Sequence, residues 1–116
     1  MQDTLKSFKN ASQGIKDALK SEPNLRFHFL AALITVSLSF YLKFTQVELM
    51  ILITTIFSVI ILELVNTVIE KLVDLNSLEI SENARVIKDI SAGAVLLSSI
   101  AAFLIGIILF IPKLFS

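Results

Sequence analysis

The sequence has no cysteine, and only three glycines and two prolines among its 116 residues. Without cysteine, a disulfide framework, a thiolate metal site and a thiol nucleophile are all excluded. The ten basic and ten acidic residues cancel in number, so no net positive charge indicates nucleic acid as a partner. The N-terminal segment of about two dozen residues also lacks the apolar core of a secretory signal peptide. We therefore expect the N-terminal segment to belong to the folded protein.

The chain is instead rich in apolar side chains. It is 55% hydrophobic and 17% charged, with a mean hydropathy of +0.84, which is too apolar for an ordinary soluble domain of this length. Its three apolar stretches lack the glycine, proline or asparagine clusters that would divide them into strands. We predict an all-α integral membrane protein of one domain, residues 1–116, with transmembrane helices at about residues 26–44, 47–74 and 83–112. The last helix is expected to stop at Pro112.

Ahead of these spans, apolar residues recur at helical spacing between lysines. The segment 3–21 places Leu5, Phe8 and Ile15 on one face and its lysines on the other. This pattern predicts an amphipathic helix that lies on the membrane surface. A helix that is merely solvated is the alternative.

Basic residues are distributed unevenly between the two sides of the predicted membrane. With a cytoplasmic N-terminus, only Lys43 and Lys113 lie outside, and eight bases lie inside: Lys6, Lys9, Lys16, Lys20, Arg26, Lys71, Arg85 and Lys88. Because basic residues concentrate on the cytoplasmic side, we predict a cytoplasmic N-terminus and an external C-terminus.

The connections and one row of small residues predict how the helices pack. The outer connection, residues 43–48, is short enough to make the first two spans an antiparallel hairpin, whereas the inner one, residues 75–83, is longer and polar. Ser81 is a candidate cap for the third span. Within that span small residues recur every fourth position, which favours close approach of another helix and a homo-oligomer: Ala94, Ser98, Ala102 and Gly106.

A polar stripe continues from the second apolar stretch. Glu63, Asn66, Glu70 and Asp74 fall within about 80° of one another on a helix. If the outer boundary is near Leu49, Glu63 lies about 21 Å below it and about 9 Å short of the inner boundary. An ionisable residue at that depth is costly and indicates a functional site. The alternative is that Glu63 hydrogen-bonds a neighbouring helix as a packing residue.

Other charged residues converge on the same predicted cytoplasmic side. Glu22 precedes the first span, and Lys88 and Asp89 lie near the start of the third. Carboxylates with a lysine suit Mg²⁺ and a nucleotide, because Mg²⁺ binds carboxylates together with phosphates and a lysine neutralises phosphoryl charge. No glycine-rich phosphate loop is present, which excludes the common soluble kinase folds without excluding ATP.

The segment from Glu63 to Glu70, ELVNTVIE, followed by Asp74, resembles the signature of the prokaryotic diacylglycerol kinase family, which includes undecaprenol kinases. Further residues match the family pattern in order along nearly the whole chain: Phe8, Ala11, Gly14, Glu22, Asn24, Arg26, His28, Ala84, Lys88, Asp89, Ala92, Gly93, Ala94 and Val95. Two positions depart from the family pattern: Pro23, where the family usually has a residue with a free backbone amide, and Val86-Ile87 before Lys88, where a small residue commonly stands.

The resemblance implies a homotrimer with three transmembrane helices and an N-terminal surface helix, in the plasma membrane of a bacterium. It implies that MgATP phosphorylates a lipid alcohol at the cytoplasmic side. By position, Glu63 is the implied base, and Glu22 and Glu70 are the implied metal ligands. The implied nucleotide region comprises Asn66, Asp74, Lys88 and Asp89. His28 matches a family position, but it is not assigned a catalytic role.

Two other functions were weighed against a lipid kinase. A small proton-coupled transporter also uses an intramembrane glutamate, but its site belongs near the membrane midplane, among discontinuous or repeated helices. Here the ionisable residues gather at one face and no internal repeat is visible. A catalytically silent assembly protein is the third hypothesis. The lipid itself is not readable, because diacylglycerol and undecaprenol present a hydroxyl at similar depth.

Overall fold

The computed structural model describes residues 2–75 and 81–116. Four α-helices follow one another in the order α1 (Gln2–Ser21), α2 (Pro23–Tyr41), α3 (Gln46–Leu75) and α4 (Glu82–Leu114). The described residues contain no β-strand, so the all-α prediction is confirmed. Most of the predicted inner connection, residues 75–83, lies outside the described ranges.

The junction of α1 and α2 is tied against α3. Glu22 is extended between the helices, and Pro23 occupies the first turn of α2, where its fixed φ and missing N–H are tolerated. The Arg26 Nη1 donates to the carbonyl oxygens of Leu19 and Lys20, at 2.9 and 3.0 Å. Ala18, Leu25 and Ile60 form a buried apolar cluster across the three helices. These contacts fix the position of Glu22 relative to α3.

A tight turn reverses the chain between α2 and α3. Lys43 adopts a left-handed backbone with φ 59°, and Leu42 N–H donates to the Leu38 carbonyl at 2.9 Å. Thr45 and Glu48 then cap α3 reciprocally: the Thr45 N–H donates to Glu48 Oε1, and the Glu48 N–H donates to Thr45 Oγ1. This arrangement is a capping box, which satisfies donors that a helix start leaves free. The short turn makes α2 and α3 antiparallel neighbours.

Helices α3 and α4 are joined by ion pairs near both ends. Lys88 Nζ lies 2.7 Å from Asp74 Oδ1, and Lys113 Nζ lies 3.1 Å from Glu48 Oε1. At the rise of an α-helix these two pairs are about 38 Å apart, somewhat more than the roughly 30 Å of bilayer hydrocarbon. The pairs therefore bracket an apolar stretch long enough to cross a membrane.

The two ends of α4 test two predictions. The Ser81 hydroxyl accepts a hydrogen bond from the Ala84 N–H at 2.9 Å, so the predicted N-terminal cap is confirmed. The prediction that the helix stops at Pro112 is wrong, because α4 continues through it to Leu114. The missing N–H of a proline removes one hydrogen bond from a final turn, which does not prevent the chain from completing that turn.

Two helices, α3 and α4, are long and apolar enough to cross a membrane in the described part of the chain. Their most apolar stretches are only 22% and 6% buried, unlike the core helices of a soluble protein. Helix α2 lies where the first membrane span was predicted, but it is not apolar enough over a sufficient length to be a candidate span. It carries Arg26, His28 and several hydroxyl side chains within its length. A membrane crossing by α2, the first of the three predicted spans, therefore stays a prediction.

Helix α1 extends over the predicted surface segment. Leu5, Phe8 and Ile15 are exposed, whereas Ala18 and Leu19 pack against the rest of the chain. The apolar face of its N-terminal half therefore has no cover within the chain, and its placement on a membrane stays a prediction.

The small-residue row of α4 does not produce a close helix contact at Gly106. A Cβ added to Gly106 would meet no heavy atom of the described chain within 4 Å. Ser98, Ala102 and Gly106 are half-buried and Ala94 is exposed. Within one chain this row borders two open grooves.

Candidate active site

The buried polar end of the predicted stripe is Glu63. It lies on the side of α3 that faces α2, and only 6% of the residue is exposed. One turn further, Thr67 is also buried, and its hydroxyl donates to the Glu63 carbonyl oxygen at 3.0 Å. This bond satisfies the threonine within its own helix and leaves the Glu63 carboxylate without a partner from α3 itself.

The partner of that carboxylate comes from α2. His28 Nε2 lies 3.2 Å from Glu63 Oε1, with the histidine side chain 20% exposed. At this distance an imidazole N–H can donate to a carboxylate, and a protonated imidazole also neutralises its charge. The His28 ring makes an edge contact with the neighbouring Phe27, with the ring centroids 5.8 Å apart. A buried carboxylate is thus paired with one half-buried imidazole.

The middle of the stripe is joined by a side-chain hydrogen bond. Asn66 Nδ2 donates to Glu70 Oε1 across one turn of α3. The other polar atom of the amide, Asn66 Oδ1, is buried and has no hydrogen-bond partner in the described chain. Because a buried carbonyl oxygen without a partner is costly, this atom is suited to a ligand. Both side chains are half-buried.

The exposed end of the stripe connects α3 to α4. Asp74 pairs with Lys88, as described above. Asp89 follows Lys88 directly but points elsewhere, because adjacent residues are about 100° apart on a helix. Its Oδ2 accepts from Arg85 Nη1 at 2.7 Å, and Arg85 also contacts Glu82. The structure therefore brings Lys88 to the stripe and places Asp89 in a separate surface cluster.

Glu22 occupies the cap position of α2 without capping it. Its side chain accepts no hydrogen bond from the first turn, and it makes no hydrogen bond or ion pair with the rest of the described residues. It is half-buried. Both carboxylate oxygens of Glu22 are consequently available for a ligand.

The oxygen atoms of this region fit Mg²⁺. Mg²⁺ is bound by one or two carboxylates and completes its octahedron with water and phosphate oxygens. Glu70 supplies a carboxylate beside the unpartnered Asn66 Oδ1, and Glu22 supplies a second carboxylate without an internal partner. Residues 2–75 and 81–116 contain no cluster of three or more acidic or histidine side chains that would hold a metal alone. A metal ion bound by Glu22 or Glu70 would therefore need further ligands from outside these side chains.

An apolar groove adjoins the His28 side chain. Its volume is about 490 Å³, and residues of α2, α3 and α4 line it, among them Phe27, Ile60 and Phe103. His28 is one of the few polar residues that line this groove. The imidazole of His28, 20% exposed, therefore lies between the Glu63 carboxylate and an apolar space.

Three contacts of this region were not predicted from the sequence. The most consequential of them is the pairing of His28 with Glu63. Only one feature of the sequence could have indicated it, namely that His28 lies near one end of a predicted helical hairpin. The carbonyl contacts of Arg26 and the hydroxyl bond of Thr67 are the others. They gave no signal, because both depend on local helix geometry.

Comparisons with known proteins address the family of the chain. The family described as prokaryotic diacylglycerol kinase matches residues 9–110. An undecaprenol kinase of Bacillus subtilis (strain 168) is 37% identical over 109 residues, covering 94% of this chain and 89% of that protein. No solved structure matches the chain.

Two further relatives carry the name diacylglycerol kinase. The Synechocystis protein is 36% identical over 113 residues, covering 97% of this chain and 65% of its own length. The Haemophilus influenzae protein is 33% identical over 104 residues, covering 90% and 86%. These matches oppose the transporter hypothesis. From its sequence match and its helical architecture, the chain belongs to the prokaryotic diacylglycerol kinase family.

Proposed function

We propose that this chain transfers the γ-phosphoryl group of MgATP to the hydroxyl of a membrane lipid, either diacylglycerol or undecaprenol. Membership of the family makes the chain a lipid kinase. The observation that supports the residue roles is the stripe on α3, which runs from the buried Glu63 to the exposed Asp74. One end suits a membrane-embedded hydroxyl and the other a water-soluble nucleotide.

In the proposed reaction, the lipid hydroxyl oxygen attacks the γ-phosphorus and the bond to the β–γ bridging oxygen breaks. Glu63 accepts the hydroxyl proton, and ADP is the leaving group. Glu22 and Glu70 would hold Mg²⁺, which would neutralise charge on the ATP phosphates. Asn66, Asp74 and Lys88 form the nucleotide region along the stripe, and a nucleotide role of Asp89, in its separate cluster with Arg85, stays a prediction. Because the phosphoryl transition state requires little covalent help, the residues act by positioning and by neutralising charge.

The identity of the lipid alcohol is tested by phosphate transfer in mixed micelles. Purified protein is given γ-labelled ATP with diacylglycerol in one reaction and undecaprenol in another. We expect Mg²⁺-dependent label in one lipid product well above the other, because the hydrocarbon chains of the two alcohols differ in number and shape. No lipid labelling with either alcohol, at full protein recovery, would contradict the proposed activity.

We propose that α2, α3 and α4 all cross the plasma membrane, with α1 on its cytoplasmic surface. The exposed apolar residues of α1 and the ion pairs bracketing α3 and α4 support this arrangement. Three crossings put the two termini on opposite sides.

Labelling of a cysteine at position 116 tests the three crossings. The natural chain has no cysteine, so Ser116→Cys gives one reactive thiol. We expect an impermeant thiol reagent to label it from outside intact cells. A matched Gln2→Cys variant on α1 should react only after the cells are opened. Labelling of Ser116→Cys only in opened cells would contradict three crossings.

We propose that three copies assemble. Only 6% of the most apolar stretch of α4 is buried within the chain, and a Cβ added at Gly106 would meet no atom within 4 Å. Small residues at such positions permit close helix packing in lipid. The number three rests on the family resemblance described from the sequence.

A further inference from the structure

The contact between His28 and Glu63 has no place in the reaction as proposed so far. His28 is the one histidine of the chain, and its Nε2 lies 3.2 Å from Glu63 Oε1. The two side chains come from different helices, so neither helix alone produces the contact. Half-burial of the imidazole and near-complete burial of the carboxylate mean that water competes weakly for this contact.

We propose that His28 is a positioning residue, which holds the Glu63 carboxylate in the orientation that accepts the proton of the lipid hydroxyl. This inference rests on the proposed base role of Glu63. An imidazole N–H that donates to Oε1 fixes the side-chain rotation of the glutamate. The second oxygen, Oε2, is then directed to the reacting hydroxyl without rotating freely. The gain is in alignment, since a base misplaced by about 1 Å can cost about 10²-fold in rate.

Three further observations support a positioning role. Thr67 bonds the Glu63 backbone and leaves its carboxylate to α2, so the described chain gives that carboxylate one ionic partner. His28 also borders the apolar groove of about 490 Å³, which brings lipid within reach of the same end of the helices. The ring is held by its edge contact with Phe27. A restrained donor is what orientation of a carboxylate requires.

Three substitutions at His28 separate positioning from packing. His28→Leu removes the donor and should lower kcat by about 10- to 10²-fold, while the KM for MgATP stays within about twofold because no nucleotide contact is lost. His28→Gln places an amide N–H near the former Nε2 and should recover most of kcat. His28→Asn places its amide nearer the former Nδ1, too short to reach Glu63, and should resemble leucine.

Ser39→Ala is the matched control on the same helix face. Ser39 lies three turns beyond His28, is fully buried, and donates its hydroxyl only to the Val36 carbonyl of its own helix. We expect its kcat and KM to equal those of the natural chain. Equal helix content and equal thermal unfolding of all the variants show that rate changes do not reflect unfolding.

A double-mutant cycle with Glu63→Gln decides the inference. If His28 acts through Glu63, His28→Leu should change the residual kcat of Glu63→Gln by less than about twofold, because coupled residues are not additive. Full additivity of the two losses would overturn the positioning role. If His28→Leu keeps the kcat of the natural chain while Glu63→Gln is slow, the positioning role of His28 is overturned and the base role of Glu63 is retained. Natural kcat in Glu63→Gln would overturn the base role and the inference together.

Discussion

Replacing Glu63 with glutamine is expected to lower the turnover of lipid phosphorylation by about 10² to 10⁴-fold, the usual contribution of a general base. Glutamine keeps the size and the hydrogen-bonding capacity of the side chain but cannot take up the hydroxyl proton. Because the substitution also removes a buried charge from a membrane segment, assembly and insertion should be unaffected or improved. Steady-state transfer from ATP to the lipid, with protein recovery and oligomer size, measures both effects.

The alternative role of Glu63 is helix packing, and it predicts a different result. Glutamine still bridges α2 and α3 through His28, so near-natural turnover would mean that the contact is structural and that proton removal lies elsewhere.

Glu48→Gln is the control for Glu63→Gln. Glu48 is a carboxylate of the same helix with one cationic partner, Lys113, but it lies at the opposite end. Its substitution should reduce stability slightly and leave turnover unchanged.

Replacing Glu70 with glutamine is expected to raise the Mg²⁺ concentration for half-maximal activity by at least about 10-fold. Loss of even a supporting partner weakens metal sites by 10- to 100-fold, and Glu70 is proposed to touch the metal itself. Glutamine still accepts from Asn66, so the fold of α3 is retained. The KM for ATP should rise in parallel, since the nucleotide binds with its metal. Titration of activity against Mg²⁺ at several ATP concentrations measures the two together.

Glu22→Gln should behave as Glu70→Gln does, because its carboxylate is the second proposed ligand. Glu82→Gln is the matched control. Its carboxylate is 74% exposed and pairs only with Arg85 in the described chain, so its loss should leave the metal dependence unchanged. Natural metal dependence in both Glu22→Gln and Glu70→Gln would remove the assignment, and an equal shift in Glu82→Gln would indicate a general charge effect.

The order of the polar stripe follows from helical periodicity alone. Offsets of three and four residues place Glu63, Asn66, Glu70 and Asp74 on one side of any α-helix. The hydrogen bond between Asn66 and Glu70 agrees with that periodicity. The burial of Asn66 Oδ1 was not predictable, because it depends on how α3 packs in the tertiary structure.

On α4, adjacency in the sequence did not predict which charged side chains lie together. Lys88 and Asp89 are adjacent and were assigned together, yet the structure pairs Lys88 with Asp74 and Asp89 with Arg85. The rotation of α4 about its axis determines which of the two neighbours faces α3. That rotation is set by the packing of the whole helix, to which no single residue pair gives a reliable guide.

The sequence by itself determined the helical elements, the cap at Ser81 and the face of α3 that carries the carboxylates. These features depend on local hydrogen bonding and on the periodicity of apolar residues, which act within a few turns of one helix. The tertiary structure alone decided that His28 meets Glu63. That contact depends on the α2–α3 turn at Lys43 and on the buried cluster of Ala18, Leu25 and Ile60. Together they set the register of two antiparallel helices, and register between helices is a property of their packing that neither helix encodes alone.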